Sequence, residues 1–198
     1  MKIYSSVTFG KTLVGQCDLR RENHKKVPCN IFQLNYHEDK DYFLKLEKSR
    51  PWQNAWFMWD MDSEFNSDVT GERTYVMESK GGRCLGYIAM LTDYDDQKEE
   101  EIVYLETCPK YQTKNSNRTL KYIGETLISF IIGTLDKKKT EAVIIKAYSE
   151  TGKPFYINNC GFEECEERNN SLLLKNKDFK KLSSKNEKHI KSKIQYFG

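Results

Sequence analysis

Apolar and polar positions change period several times along these 198 residues. VPCNIFQLN (27–35) predicts a strand, and 42–46 predicts the start of a charge-rich helix. Trp52, Trp56 and Trp59 then recur at helical spacing with one aromatic face, and Pro51 suits the first turn of that helix. From Thr74 the pattern changes: TYVMESKGGRCLGYIAML reads as two strands joined at Lys80-Gly81-Gly82, a hairpin signal. The acidic run TDYDDQKEEE (92–101) reads as a second turn, followed by the strand IVYLETC (102–108), which Pro109 ends because it cannot donate to a ladder. A polar loop leads to an apolar helix carrying Leu127, Phe130, Ile131 and Leu135 on one face. Asp136 and Lys137–Lys139 are expected to close that helix, with cations near the negative end of its dipole. AVIIKAY (142–148) is nearly all apolar, as a strand covered on both faces would be. SETGKPFYINNCGF (149–162) predicts a short helix ending at Gly161, which suits a left-handed cap, and SLLLKN (171–176) predicts a last strand.

Strands first, then a helix between strands, predict an α+β (mixed α/β) fold: one domain over 1–198 with core motifs in 74–176 and a basic C-terminal tail at 177–198. A net charge of +3 is too small to argue for nucleic-acid binding, and the lysine-rich tail is explained as charged surface. The longest apolar run, 127–132, is too short to span a bilayer, and no signal-like apolar stretch follows Met1-Lys2, so a cytoplasmic protein with no membrane partner is expected. The six cysteines form no CxxC pair and are expected as free thiols, several of them buried. The three histidines have no second ligand at a useful spacing, so no metal is expected. DMDSEFNSD (60–68) fails as a calcium loop because it lacks the position-six glycine and the closing glutamate.

In NRTLKYIGETLI (117–128) one glycine separates a polar loop from an apolar helix. A helix starting there aims the N–H groups of Tyr122, Ile123, Gly124, Glu125 and Thr126 at one point, a ready anion site. Gly124 serves either as a plain helix-start residue or to leave room for a phosphate.

Taken together, IVYLETCPKYQ, LKYIGETLISFI, AVIIKAY and FYINNCGF resemble, in order and spacing, the cofactor motifs of the Gcn5-related N-acetyltransferases; the resemblance covers roughly 74–162. It implies a central mixed, mostly antiparallel sheet with splayed middle strands, flanked by helices, and acetyl-coenzyme A as cofactor. The family's pyrophosphate loop reads arginine or glutamine, two residues, glycine, one residue, glycine. The matching positions here are Thr119, Tyr122 and Gly124, with Arg118 displaced by one; Lys121, Ile123, Glu125 and Thr126 complete the loop and first turn. By the same resemblance the backbone of Leu105, Glu106 and Thr107 pairs with the pantetheine arm, and Ser149 stands where many relatives have an asparagine. Tyr156 is the candidate general acid, five residues before Gly161 where the family tyrosine lies four before, so an extra helical residue must be absorbed. Glu106, on the same strand face as Tyr104, is the candidate base. Cys108 and Cys160 flank the cleft without a histidine to activate them, which disfavours an acyl-cysteine route.

The implied activity is acetyl-coenzyme A-dependent N-acetylation of a primary amine on a small molecule or a protein. The alternative is a catalytically weak acyl-coenzyme A-binding sensor or interaction module. The acidic run and the aromatic helix at 52–59 could line a pocket for a cationic amine, but solubility and core packing account for both.

Overall fold

The structure is a computed structural model and describes residues 11–21, 23, 25–34, 39, 42, 72–92, 98–112, 119–146, 152–168 and 170–197. The aromatic helix at 52–59, the calcium-loop test segment and Ser149 lie outside the described residues.

Strands β1 (Thr12–Arg21) and β2 (Lys26–Leu34) form an antiparallel hairpin in which Gly15, Cys17 and Leu19 face inward and alternate with polar residues. β3 (Glu72–Ser79) and β4 (Cys84–Thr92) follow as the expected hairpin, turning at Lys80–Gly82. β5 is Glu99–Thr107, so the last three residues of the acidic run lie in a strand and not in a turn. Its last three glutamates are strand residues held by cations: Glu99 by Arg168 at 2.7 Å, the buried Glu100 by Arg73 at 2.7 Å, and Glu101 by Lys146 at 3.1 Å. They are not free charge for an acceptor pocket.

A 3₁₀ turn (Pro109–Tyr111) follows β5, and the two-residue β6 (Leu120–Lys121) pairs with β1. Helix α1 (Ile123–Thr134) buries Leu127, Phe130 and Ile131 as expected, but it ends at Thr134. Lys137–Lys139 therefore sit in a separate turn, where the Asp136 carboxylate accepts the Lys138 amide at 3.0 Å, and do not cap the helix. β7 (Ala142–Lys146) is buried at four of its five positions. A π-helix (Phe155–Cys160), the short β8 (Glu163–Glu164), β9 (Ser171–Lys175), helix α2 (Asn176–Ile190) and β10 (Gln195–Tyr196) complete the chain.

The expected charged tail at 177–198 is thus a structural element. α2 is charged outside but buries Phe179, Leu182 and Ile190 in the core, and β10 pairs with β1. The lysines hid an i, i+3 apolar stripe that closes the molecule.

The sheet runs β10-β1-β2-β3-β4-β5-β7-β9-β8, antiparallel except for β5–β7, which is parallel. The fold is the mixed, mostly antiparallel α+β architecture expected from the sequence. Among the described residues the parallel pairing runs from Glu99–Ala142 to Ile102–Ile145, and β5 continues beside β4 to Thr107. Val103, which follows Ile102, is the extra residue of a bulge opposite Ala89 and Met90. A bulge bends and twists its strand, and this one directly follows the last described β5–β7 pair. Among the described residues no helix is long and apolar enough to cross a membrane.

Candidate functional site

The parted strands, the first turn of α1 and the π-helix meet around Gly124. A Cβ built there would lie 2.9 Å from the edge of the Phe155 ring and 3.7 Å from Leu105 Cδ2. A side chain at Gly124 would therefore meet the Phe155 ring, so packing alone asks for a small residue there.

Each predicted loop residue has a definite place. Among the described residues the amides of Ile123, Gly124 and Glu125 have no acceptor, and no side chain caps the helix. Three donors at the positive end of a twelve-residue helix fit a diphosphate. Thr126 does not belong with them: its N–H bonds the Tyr122 carbonyl at 3.0 Å, its hydroxyl donates to the same oxygen at 2.6 Å, and it is fully buried. The Glu125 carboxylate accepts from the Asn159 side chain at 3.0 Å, tying α1 to the π-helix. Thr119 is exposed before β6, and Lys121 pairs in register with Arg20.

Tyr122, at the position where the family pattern has glycine, adopts the left-handed conformation (φ 68°, ψ 22°). For a residue with a Cβ this costs roughly 1–2 kcal/mol. Its ring lies against His189 of α2, with centroids 4.9 Å apart. A left-handed residue followed by helix folds successive N–H groups into a concave nest that suits an anion.

On β5 the three residues expected to meet the pantetheine arm separate. The Cys108 N–H bonds Leu85 of β4 at 2.9 Å, so by ladder alternation the polar groups of Glu106 also point to β4, while those of Leu105 and Thr107 point to the opposite edge. The Thr107 carbonyl is already taken by the Gln112 side chain at 3.1 Å. Among the described residues Leu105 has no partner for its N–H and C=O on that edge, so the docking strip that this part of the structure offers is Leu105 and the Thr107 amide. An extended amide-bearing arm fits such an edge as an added strand would.

The candidate base lies on the other face of the sheet. Gly86 faces α1, since a Cβ there would meet Ile123 and Leu127, so its neighbour Tyr87 faces away. Tyr87 donates a hydrogen bond to Glu106 at 3.0 Å, and Glu106 is buried, not solvent-facing. Burial, with the Glu106 charge next in importance, pushes the Tyr87 hydroxyl far above the ordinary phenol range. The phenol therefore stays a donor to the carboxylate.

Tyr156 is half-buried on the π-helix, edge-on to Phe155 and Phe162. Its hydroxyl bonds no described residue, and burial, then the neighbouring Cys160, raises its pKa well above that of a free phenol. The shifted spacing to Gly161 has its physical counterpart here. The Gly161 N–H reaches the carbonyls of both Ile157 and Tyr156, and the turn widens from α to π. A π-turn takes in one extra residue without breaking the helix, and Gly161 ends it at φ 77°. Lys185 of α2 donates to the carbonyls of Asn158 at 3.0 Å and Asn159 at 2.9 Å. Cys160 is buried and its thiol pKa is pushed up by that burial and by Glu125, which makes it a poor nucleophile.

Four participants were not picked out from the sequence: Phe155, Tyr87, Lys185 and His189. Tyr87 carries a period-two signal, but its pairing with Glu106 depends on the β4–β5 register, which the bulge at Val103 shifts.

No family model matches the sequence, and no curated protein matches it. Solved structures do match the fold. AtaTR bound with acetyl-coenzyme A superposes with a TM-score of 0.57 at 16% identity, over 78% of this chain and 97% of that one. A proposed acetyltransferase from Exiguobacterium sp. 255-15 gives 0.54 at 17%, over 77% and 97%. A point mutant of spermidine N-acetyltransferase SpeG from Vibrio cholerae gives 0.50 at 15%, over 76% and 95%. The chain has the fold of the Gcn5-related N-acetyltransferases.

Proposed function

We propose that this chain, with the Gcn5-related N-acetyltransferase fold, is an acetyl-coenzyme A-dependent N-acetyltransferase that acetylates a primary amine directly. The observation that supports the reading is the convergence at Gly124 of three helix-start amides with no described acceptor and the edge of Leu105 that meets no described strand. Acetyl-coenzyme A supplies the thioester. The amides of Ile123, Gly124 and Glu125 hold its diphosphate, and Leu105 pairs with its arm in the gap between β5 and β7. Held there, the thioester is presented to both faces of the sheet. Glu106, steadied by Tyr87, takes the proton of the attacking ammonium on one face, directly or through water. Tyr156 donates a hydrogen bond to the sulfur as charge develops on it. A phenol is protonated at neutral pH, and burial, which raises its pKa further, keeps it a donor.

A binding module without turnover is the second reading, favoured by the strained tyrosine at a glycine position. Acetyl-coenzyme A should raise the melting temperature under either reading. Release of free thiol with a panel of amines should occur only under the first. Tyr156→Phe should lower kcat about 100–1,000-fold, the range expected for losing one transition-state donor, with cofactor affinity unchanged. Unchanged turnover would remove Tyr156 from the mechanism.

A further inference from the structure

Helix α2 reaches the phosphate-binding turn without lining it. The ring of His189 packs on the ring of Tyr122, and the Asn186 side chain sits 3.3 Å from the Thr126 hydroxyl, which itself bonds the Tyr122 carbonyl. Asn186 is buried, and Tyr122 and His189 are half-buried, so these contacts form one packed joint between the two helices. The residue they grip is the one in an unfavourable conformation. Glycine would adopt φ 68° at no steric cost, whereas tyrosine released from its partners would relax toward negative φ and open the nest.

We propose that His189 is a positioning residue for coenzyme A: by seating the Tyr122 ring it holds that residue left-handed, and so keeps the Ile123, Gly124 and Glu125 amides converged on the diphosphate. The C-terminal helix thus does for this loop what glycine would otherwise do. The inference rests on the acyl-coenzyme A reading above, and it predicts a conditional dependence that general destabilisation would not produce.

The test is a double-mutant cycle on the full chain, with coenzyme A as the probe in isothermal titration calorimetry. His189→Ala should raise the dissociation constant about five- to tenfold, the scale of one strained left-handed residue. His189→Phe, which keeps a ring on Tyr122, should restore binding. In a Tyr122→Gly background His189→Ala should leave the affinity unchanged, because the left-handed turn no longer needs support. The KM for the amine should stay the same throughout. Two results would overturn the inference alone: wild-type affinity in His189→Ala, or an equal loss in both backgrounds. Absence of coenzyme A binding by the wild-type chain would overturn the functional reading and this inference with it.

Discussion

At the scale of single residues, Gly124 shows how a functional-looking glycine acquires its reason from packing. Its missing Cβ accommodates Phe155, whose neighbour Tyr156 is the proposed donor. Gly124→Ala should therefore act through the aromatic ring. It should destabilise the protein by about 1–3 kcal/mol, as overpacking does, and Phe155→Leu in the same chain should recover part of that loss. Urea unfolding of the single and double variants measures this; additive effects would show that the two positions do not meet. The glycine's place at the helix start was legible in the sequence. Its partner was not, because Phe155 is 31 residues away and no local periodicity links them.

Among the elements, the π-helix depends most on its surroundings. Its widened turn leaves carbonyls near its end that Lys185 satisfies from α2. Lys185→Ala should cost about 1 kcal/mol, the usual worth of a hydrogen bond, and should lower turnover by loosening the segment that carries Tyr156. Thermal unfolding and thiol release read the two effects separately, and a loss of stability with full turnover would show that the cap does not position Tyr156. The shifted Tyr156–Gly161 spacing pointed to an extra residue. Only the fold showed that a π-turn absorbs it, since the contacts that anchor the segment, Phe155 against Gly124 and Asn158 and Asn159 on Lys185, come from different parts of the chain.

For the molecule as a whole, α2 and β10 are integral. A chain stopped after Asn176 would lose the buried Phe179, Leu182 and Ile190, each worth about 1.5–3 kcal/mol of transfer free energy. That sum is of the order of a domain's total stability, so the truncated chain should show no cooperative unfolding transition by circular dichroism. Alkali should also unfold the intact protein. Burial raises the thiols of Cys29 and Cys84 to about 12, above the ordinary value of 9.0. Below pH ~9 these thiols are protonated in both states and their contribution is intact. As pH rises toward about 12 the unfolded chain ionises first, and each thiol lowers stability by up to about 1.4 kcal/mol per pH unit. Urea midpoints measured from pH 8 to 11 should fall progressively, and the fall should be shallower in Cys29→Ala and Cys84→Ala. Midpoints that stayed level would contradict it.

What the sequence alone determined is what periodicity and backbone chemistry express locally: the β3–β4 hairpin, the apolar β7, the helix start at Ile123 with its open amides, the Gly161 cap, and from their order the α+β class. Inward alternation in β1 was also written there, but Gly15 and the charged neighbours weakened its apolar signal. The tertiary structure decided the register of β5 between β4 and β7, including the bulge at Val103. It also decided that a lysine-rich segment is a core helix, since three apolar residues suffice when the rest of the molecule supplies the surface they cover. Register and long-range contact are properties of two segments at once, and neither segment encodes them by itself.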